Sequence, residues 1–441
     1  MQTDVTSHTS HSSSVFEGVT RYHWMVVIIA SCGWLFDCMD QRLFVLAREP
    51  ALRDLLQDDA QALTMLRTYG GYATTSMILG WATGGIIFGM LSDKIGRVKT
   101  MILTLLVYSG FTGLCGFATS WVDFTVYRFL AGIGIGGMFG AATTLVAESV
   151  PSGFRVLALG ALQALSATGN ILGSLISLWI PPGAADVMGF AGWRLLFFIG
   201  ILPALLVVPT IFLLKEPSAW LAARADAARG IGSKNVGSLS ELFRTPTLRR
   251  NTIVGLFLGL SGMIGLWGIG FFSPELISTA LANEPQAVVD RVRGWGTAFQ
   301  DMGAFLGMMT FTMVAAFLSR RAAFFGALLA SMATTMFVFG MLQSASDAYW
   351  MLPMMGFAQM SVFAGYSIYF PELFPTRLRG TGVGFCYNTV RYLAAPAPIL
   401  LGYLATMFSF RTAAMLMCSV YLVGMVALIW APETKGKPLP E

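Results

Sequence analysis

Residues 147–155 read AESVPSGFR and residues 371–379 read PELFPTRLR. Each stretch sets a Glu first, a Pro three positions on and an Arg seven positions on. They are Glu148, Pro151 and Arg155 in one copy, and Glu372, Pro375 and Arg379 in the other. The copies lie 224 residues apart, and the same spacing carries Arg97 onto Arg321 and Gly132 onto Gly356. A period this long in a chain of 441 residues means two copies of one large unit, not an array of short repeats.

The residues around these loops say what the unit is made of. Hydrophobic residues make up 55% of the chain and charged residues 12%, against about 25% charged in soluble domains. That surplus points to lipid as the solvent. Apolar runs long enough to span fall near 24–46, 70–91, 99–118, 122–147, 156–180, 193–214, 251–273, 295–318, 323–342, 349–370, 381–405 and 411–430. The expected fold is an all-α membrane protein of twelve transmembrane helices in two pseudo-symmetric six-helix halves, 23–214 and 251–430. A cytoplasmic linker, 215–250, joins them. Residues 1–22, rich in Ser, Thr and His, read as a disordered cytoplasmic tail without a cleavable signal, and 431–441 as a second cytoplasmic tail.

Charge sets the orientation. Of the 28 Lys and Arg, 18 fall on the side of the termini, 8 on the other, and Arg128 and Arg391 lie inside helices. The bias expects both termini in the cytoplasm and a multi-pass protein of the cell (inner) membrane. The net charge of +5 is spread between apolar blocks and forms no basic face for nucleic acid. The three histidines, His8, His11 and His23, lie outside the apolar core, so proton chemistry within the membrane falls to carboxylates. The five cysteines have neither metal-ligand spacing nor a disulfide framework. No metal or cofactor is expected, and no nucleophile–base set or phosphate loop points to an enzyme.

Three further motifs carry a resemblance. GMLSDKIGR (89–97) contains Gly89, Asp93 and Arg97; RFLAGIGIGG opens at Arg128; PETKGKPLPE closes the chain at 432–441. Together they resemble the major facilitator superfamily along essentially the whole chain. The ending is similar to the branch of sugar porters, organic-ion transporters and bacterial carboxylate–proton symporters. That resemblance implies alternating access, a substrate held between the halves near mid-membrane, and function as a monomer. It also implies a cytoplasmic gate, read here onto Gly89, Asp93, Arg97, Glu148, Arg155, Glu372 and Arg379. Two departures matter. AAFLSRR (315–321) has Phe317 where Asp93 maps, so the latch is expected to be stronger in the first half. The seventh span, GLFLGLSGMIGLWGIGFF (255–272), lacks the amide side chains of the sugar porters, which counts against a sugar.

Ionisable residues inside apolar spans are costly to bury and mark functional sites. Asp37 and Asp40, in GWLFDCMDQ (33–41), share one helix face. In low dielectric two such carboxylates resist being ionised together, so one of them is a candidate proton carrier, the other reading being static partners for Arg128. Asp-x-x-Asp here also resembles aromatic-acid, sialate and monocarboxylate symporters. Arg128 falls near the same depth, where it either assists proton transfer or forms a structural pair. Asp301 in TAFQDMGAFLG (297–307) is a second proton site, a partner for Arg391 or Arg128, or a wetted residue at the outer mouth. Arg391, in YNTVRYLAAPAP (387–398), sits about halfway across and requires an anion, either substrate or protein. The 224 offset maps Arg391 onto Ala167, Asp37 onto Ser261 and Asp40 onto Ile264, so these charges break the repeat. Tyr387 and Asn388 share the face of Arg391; Trp34, Gln163, Trp267, Gln359 and Tyr366 are further candidate cavity residues. The expected activity is proton-coupled symport of a small organic anion, a carboxylate; the alternatives are a proton-antiport exporter of a drug or metabolite and a transport-dead sensor.

Overall fold

In hydrocarbon a backbone N–H or C=O has no water to bond, so long apolar runs must satisfy their polar groups within one helix. The computed structural model, which describes residues 15–56, 66–229 and 236–441, shows this outcome throughout. The helices are α1 (Arg21–Leu55), α2 (Leu66–Ile95), α3 (Arg97–Cys115), α4 (Trp121–Ser149), α5 (Ser152–Trp179) and α6 (Gly192–Leu213). After them come α7 (Ser218–Ala228), α8 (Pro246–Ala280), α9 (Gln286–Phe317), α10 (Arg320–Met341) and α11 (Ala345–Leu373). The last are α12 (Arg379–Ala394), α13 (Ala397–Met407) and α14 (Phe410–Ala427). Among the described residues nine helices are long and apolar enough to cross a membrane: α1 to α6, α8, α10 and α14.

Helix limits follow local chemistry. Ser120 and Asp123 form a capping box that starts α4, and Ser344 and Asp347 form the same box, 224 residues on, at the start of α11. Among the described residues four spans are interrupted, α14 among them between Met417 and Val420. In α6 a 3₁₀ turn, Leu202–Leu206, begins beside Pro203. In α8 a π turn, Ile264–Ile269, leads into a 3₁₀ turn, Gly270–Phe272. The predicted span 381–405 is divided into α12 and α13, where Pro396 removes a backbone donor. The predicted linker 215–250 contains α7, a one-turn helix at Glu241–Arg244 and the first residues of α8. The closing residues are docked: the Pro440 carbonyl accepts from Thr376 N and Arg379 Nη2. Of the predicted N-terminal tail, 1–14 lie outside the described residues.

Packing repeats as well. α2 lies along α4, and α9 lies along α11. A Cβ at Gly80 or Gly84 would strike the carbonyl of Phe129 or Ile133, and one at Gly303 or Gly307 the carbonyl of Pro353 or Phe357. Glycine therefore lets the two backbones touch in both places. The contacts correct the sequence register: the α4 residues map onto α11 at 224, whereas Gly80 and Gly84 map onto Gly303 and Gly307 at 223. Early and late helices meet where α12 crosses α2 and α9 crosses α5. These two crossings frame the site.

Candidate functional site

Asp37 and Asp40 are both fully buried on α1, but they have different neighbours. Asp40 pairs with Arg128 of α4 at 3.0 Å, deep among Phe44 and Phe197, whose rings face the guanidinium. Asp37 has no ion-pair partner among the described residues. Its Oδ2 accepts weakly from Gln41 at 3.5 Å, and its Oδ1 is buried without a hydrogen bond. The static reading therefore fits Asp40, although its Oδ1, like that of Asp37, is buried without a hydrogen bond; what separates the two is the ion pair to Arg128.

Arg391 lies on α12 within electrostatic reach of Asp37 and is 4% exposed. It forms no ion pair among the described residues. Its guanidinium rests on the ring of Trp81, 3.5 Å from the centroid, with Tyr387 at 5.1 Å, and its Nε donates to Asn388 at 3.4 Å. Stacking occupies a face of the planar cation and leaves its in-plane N–H donors for an anion. Trp267 meets Trp81 edge to face at 6.3 Å. Tyr387 stacks on Phe139 at 3.9 Å, and Phe139 packs on Trp34 at 5.1 Å, so rings from α1, α4 and α12 form one continuous cluster beside Arg391. The indole Nε1 atoms of Trp34 and Trp81 and the Oε1 of Gln163 are buried without partners.

Two candidates are engaged elsewhere. Gln359 donates to Thr335 at 2.9 Å, and the hydroxyl of Tyr366 donates to the Leu258 carbonyl at 2.7 Å, although its ring still faces Tyr387. Asp301 meets neither of the two arginines expected as its partners. It pairs with Arg42 of α1 at 2.7 Å, both side chains 26% exposed, and not with Arg391 or Arg128. This bond joins α1 to α9.

The opposite ends of the helices hold a buried charge cluster. Gly89 lets α2 approach the backbone of Gly380 and Gly384 on α12. Asp93 then accepts from Gly380 N at 3.0 Å, Thr381 N at 2.8 Å and Thr381 Oγ1 at 2.6 Å. Arg97 contacts Asp93 at 3.2 Å and makes a two-pronged pair with Glu148 at 2.9 and 3.0 Å. Arg379 reaches the same Glu148 from α12. Gly96, at φ 117°, turns the chain so that the Glu216 carboxylate caps the amides of Arg97, Val98 and Lys99.

The second cluster repeats part of this. Arg320, not Arg321, pairs with Glu372 at 2.8 Å and donates to the Ala315 carbonyl, as Arg97 donates to that of Ser92. Glu433 caps the amides of Arg320 and Arg321 as Glu216 caps those of α3. Arg155 departs from expectation: it donates to the Ala147 carbonyl at 2.8 Å and pairs with no carboxylate among the described residues.

Among the described residues Asp40 is paired, while Asp37 and Arg391 form no ion pair; comparison with known proteins gives the class. The model of the Major Facilitator Superfamily matches residues 32–397. The chain belongs to that superfamily. Members of this superfamily are transporters, so the protein is an integral membrane transporter and not an enzyme. It is 29% identical to the cis,cis-muconate transport protein of Acinetobacter baylyi over 363 residues, covering 82% of this chain and 84% of the relative. It is 28% identical to a probable 4-methylmuconolactone transporter of Cupriavidus pinatubonensis, covering 92% and 89%. Its fold matches XylE, a proton:xylose symporter of the superfamily solved bound to 6-bromo-6-deoxy-D-glucose. The TM-score is 0.76 at 18% identity, with 95% of this chain and 98% of that one covered.

Several contributors to this superfamily site escape sequence reasoning: Trp81, Arg42, Glu216, Arg320, Thr381 and Glu433. Glu216 and Glu433 had a signal, a Glu–Pro or Pro–Glu pair following an apolar span in KEPSAWL and PETKGK. Trp81 had none, because an aromatic residue in an apolar span reads as packing.

Proposed function

We propose that the chain is a proton-coupled symporter of small organic carboxylates that works by alternating access. The observation that carries this reading is a pair of opposite charges at the centre: Arg391 and Asp37 lie within electrostatic reach of each other, yet among the described residues neither forms an ion pair. The substrate carboxylate binds the free edge of Arg391, between Asn388 and Tyr387. A proton from the outer side adds to Asp37, so the loaded carrier buries one fewer charge when it turns. On the inner side the proton and the anion leave together. Asp40 and Arg128 hold α1 against α4, and Arg42 with Asp301 ties the outer ends. Gly89, Asp93, Arg97, Glu148 and Arg379 close the cytoplasmic side. The names of the muconate and methylmuconolactone relatives support an organic acid as substrate.

In this reading α9, α11 and the α12–α13 pair also cross the membrane. Together with the nine they make twelve crossings in two six-helix halves, 23–214 and 251–430. Residues 215–250 join the halves, and 1–22 and 431–441 flank them in the cytoplasm of a cell whose inner membrane holds the protein.

The test is a thermal-shift screen of carboxylates on wild type and Arg391→Ala, paired with proteoliposome uptake under an imposed pH gradient. Removing a buried charge partner costs about 2 kcal/mol or more, so hits should bind the variant roughly 30-fold or more weakly. Equal stabilisation of both proteins removes Arg391 from the site. Asp37→Asn should bind hits yet lose the response of uptake to the pH gradient; a retained response removes Asp37 as the carrier of the proton.

A further inference from the structure

A groove of about 660 Å³ runs between α8 and α14 on the outside of the helix bundle, away from the central charges. Its wall is apolar, with Ile253 and Phe257 from α8 and Val426 from α14. Arg249, Arg250 and Trp430 lie at one end, in the first turns of α8 and just past the end of α14. Both arginines are exposed, and neither forms an ion pair among the described residues. No acidic residue lines the groove. In a membrane protein, arginines where an apolar helix begins lie at headgroup level, and a tryptophan beside them occupies the same interface.

A neighbouring groove provides the contrast. On the other side of α14 a space of about 600 Å³ is lined by Phe325, Arg321 and Glu433. There the acid offsets the single arginine, and the Arg321 amide already donates to it. Apolar walls are common to both grooves; an excess of two positive charges is found only in the first.

We infer that the groove between α8 and α14 binds one anionic phospholipid, its acyl chain along Ile253, Phe257 and Val426 and its phosphate on Arg249 and Arg250. Charge complementarity selects the occupant: a zwitterionic lipid fits the walls equally well but brings no net charge to two unpaired guanidinium groups. The inference does not depend on what the carrier transports.

Native mass spectrometry of the purified chain, with phosphatidylglycerol or phosphatidylcholine of identical acyl chains added, tests it. Wild type should hold the first phosphatidylglycerol roughly tenfold or more over the first phosphatidylcholine. The double variant Arg249→Ala with Arg250→Ala should bring that ratio to about one. Arg249→Lys with Arg250→Lys keeps the charge and should keep most of the preference. Val426→Trp fills the groove and should lower retention of the first phosphatidylglycerol. Absence of preference in wild type, or preference that survives the double alanine change, overturns the proposal. Retention of the first phosphatidylglycerol unaffected by Val426→Trp overturns the groove as the seat of the chain.

Discussion

Glu148 and Glu372 hold equivalent places at the ends of α4 and α11, and each grips an arginine from the start of the helix beside it. Beyond that they differ. Glu148 also takes Arg379 from α12, and Asp93 next to it takes two amides and a hydroxyl of α12, so the early helices are tied to the late ones. Glu372 takes Thr434 Oγ1 at 2.5 Å, from the closing segment of its own set. Arg155, which matches Arg379 by position, turns back to the Ala147 carbonyl. One cluster is a bolt between two bodies; the other is a brace within one. Breaking that one set of contacts would free α12 from α2 and α4 at this end of the helices, while the brace would leave its own set intact.

The largest effect should come from removing the shared acceptor. Glu148→Gln strands the fully buried Arg379 and leaves Arg97 with Asp93 alone, and breaking such pairs costs on the order of 3–5 kcal/mol. The melting temperature in detergent should fall steeply, and clearly less for Glu372→Gln, which strands only Arg320. Equal losses would erase the distinction between bolt and brace. Next in size is Asp93→Asn, which weakens charge-assisted bonds worth about 1.5–3 kcal/mol. Hydrogen exchange at the amides of Gly380 and Thr381 should speed up about tenfold or more, while the start of α5 stays unchanged. Acceleration at both places would mean that the clusters are coupled and not separate.

The smallest effect belongs to Glu433 in the brace. Partial burial pushes its carboxyl up, but the amides of Lys435, Arg320 and Arg321 more than offset this and hold it below the usual range. A group depressed in the folded state adds stability above its unfolded value of about 4.3 and loses it as pH falls through the folded value. Glu433→Gln should therefore cost under about 1 kcal/mol near neutral pH. The cost should vanish in strong acid, read as melting temperature against pH for both proteins. A cost that grows on acidification would reverse the assignment.

Much of this scaffold was legible because its signals are local. Apolar length marks the helices, Ser-x-x-Asp marks the starts of α4 and α11, and the Glu–Pro–Arg loops mark the repeat. Asp40 and Arg128 could be paired by depth along their helices. What could not be read depends on rotation about the helix axes. Asp301 and Arg391 seemed natural partners as lone charges, but α9 turns Asp301 toward Arg42. Trp81 supports Arg391 only because α12 crosses α2 at that height. A single sequence records distance along a helix well, and which neighbour a side chain meets poorly.

The repeat itself shows the same limit. Residues of α4 find their counterparts 224 positions on, those of α2 and the start of α3 find theirs at 223, and Arg194 and Glu216 find theirs in Arg411 and Glu433 at 217. A single residue of slip turns a helix by about 100°. Anyone grafting one half of this carrier onto the other by a constant offset would point the α9 glycines away from α11 and set Arg321 where Arg320 belongs. The repeat preserves contacts while its numbering drifts.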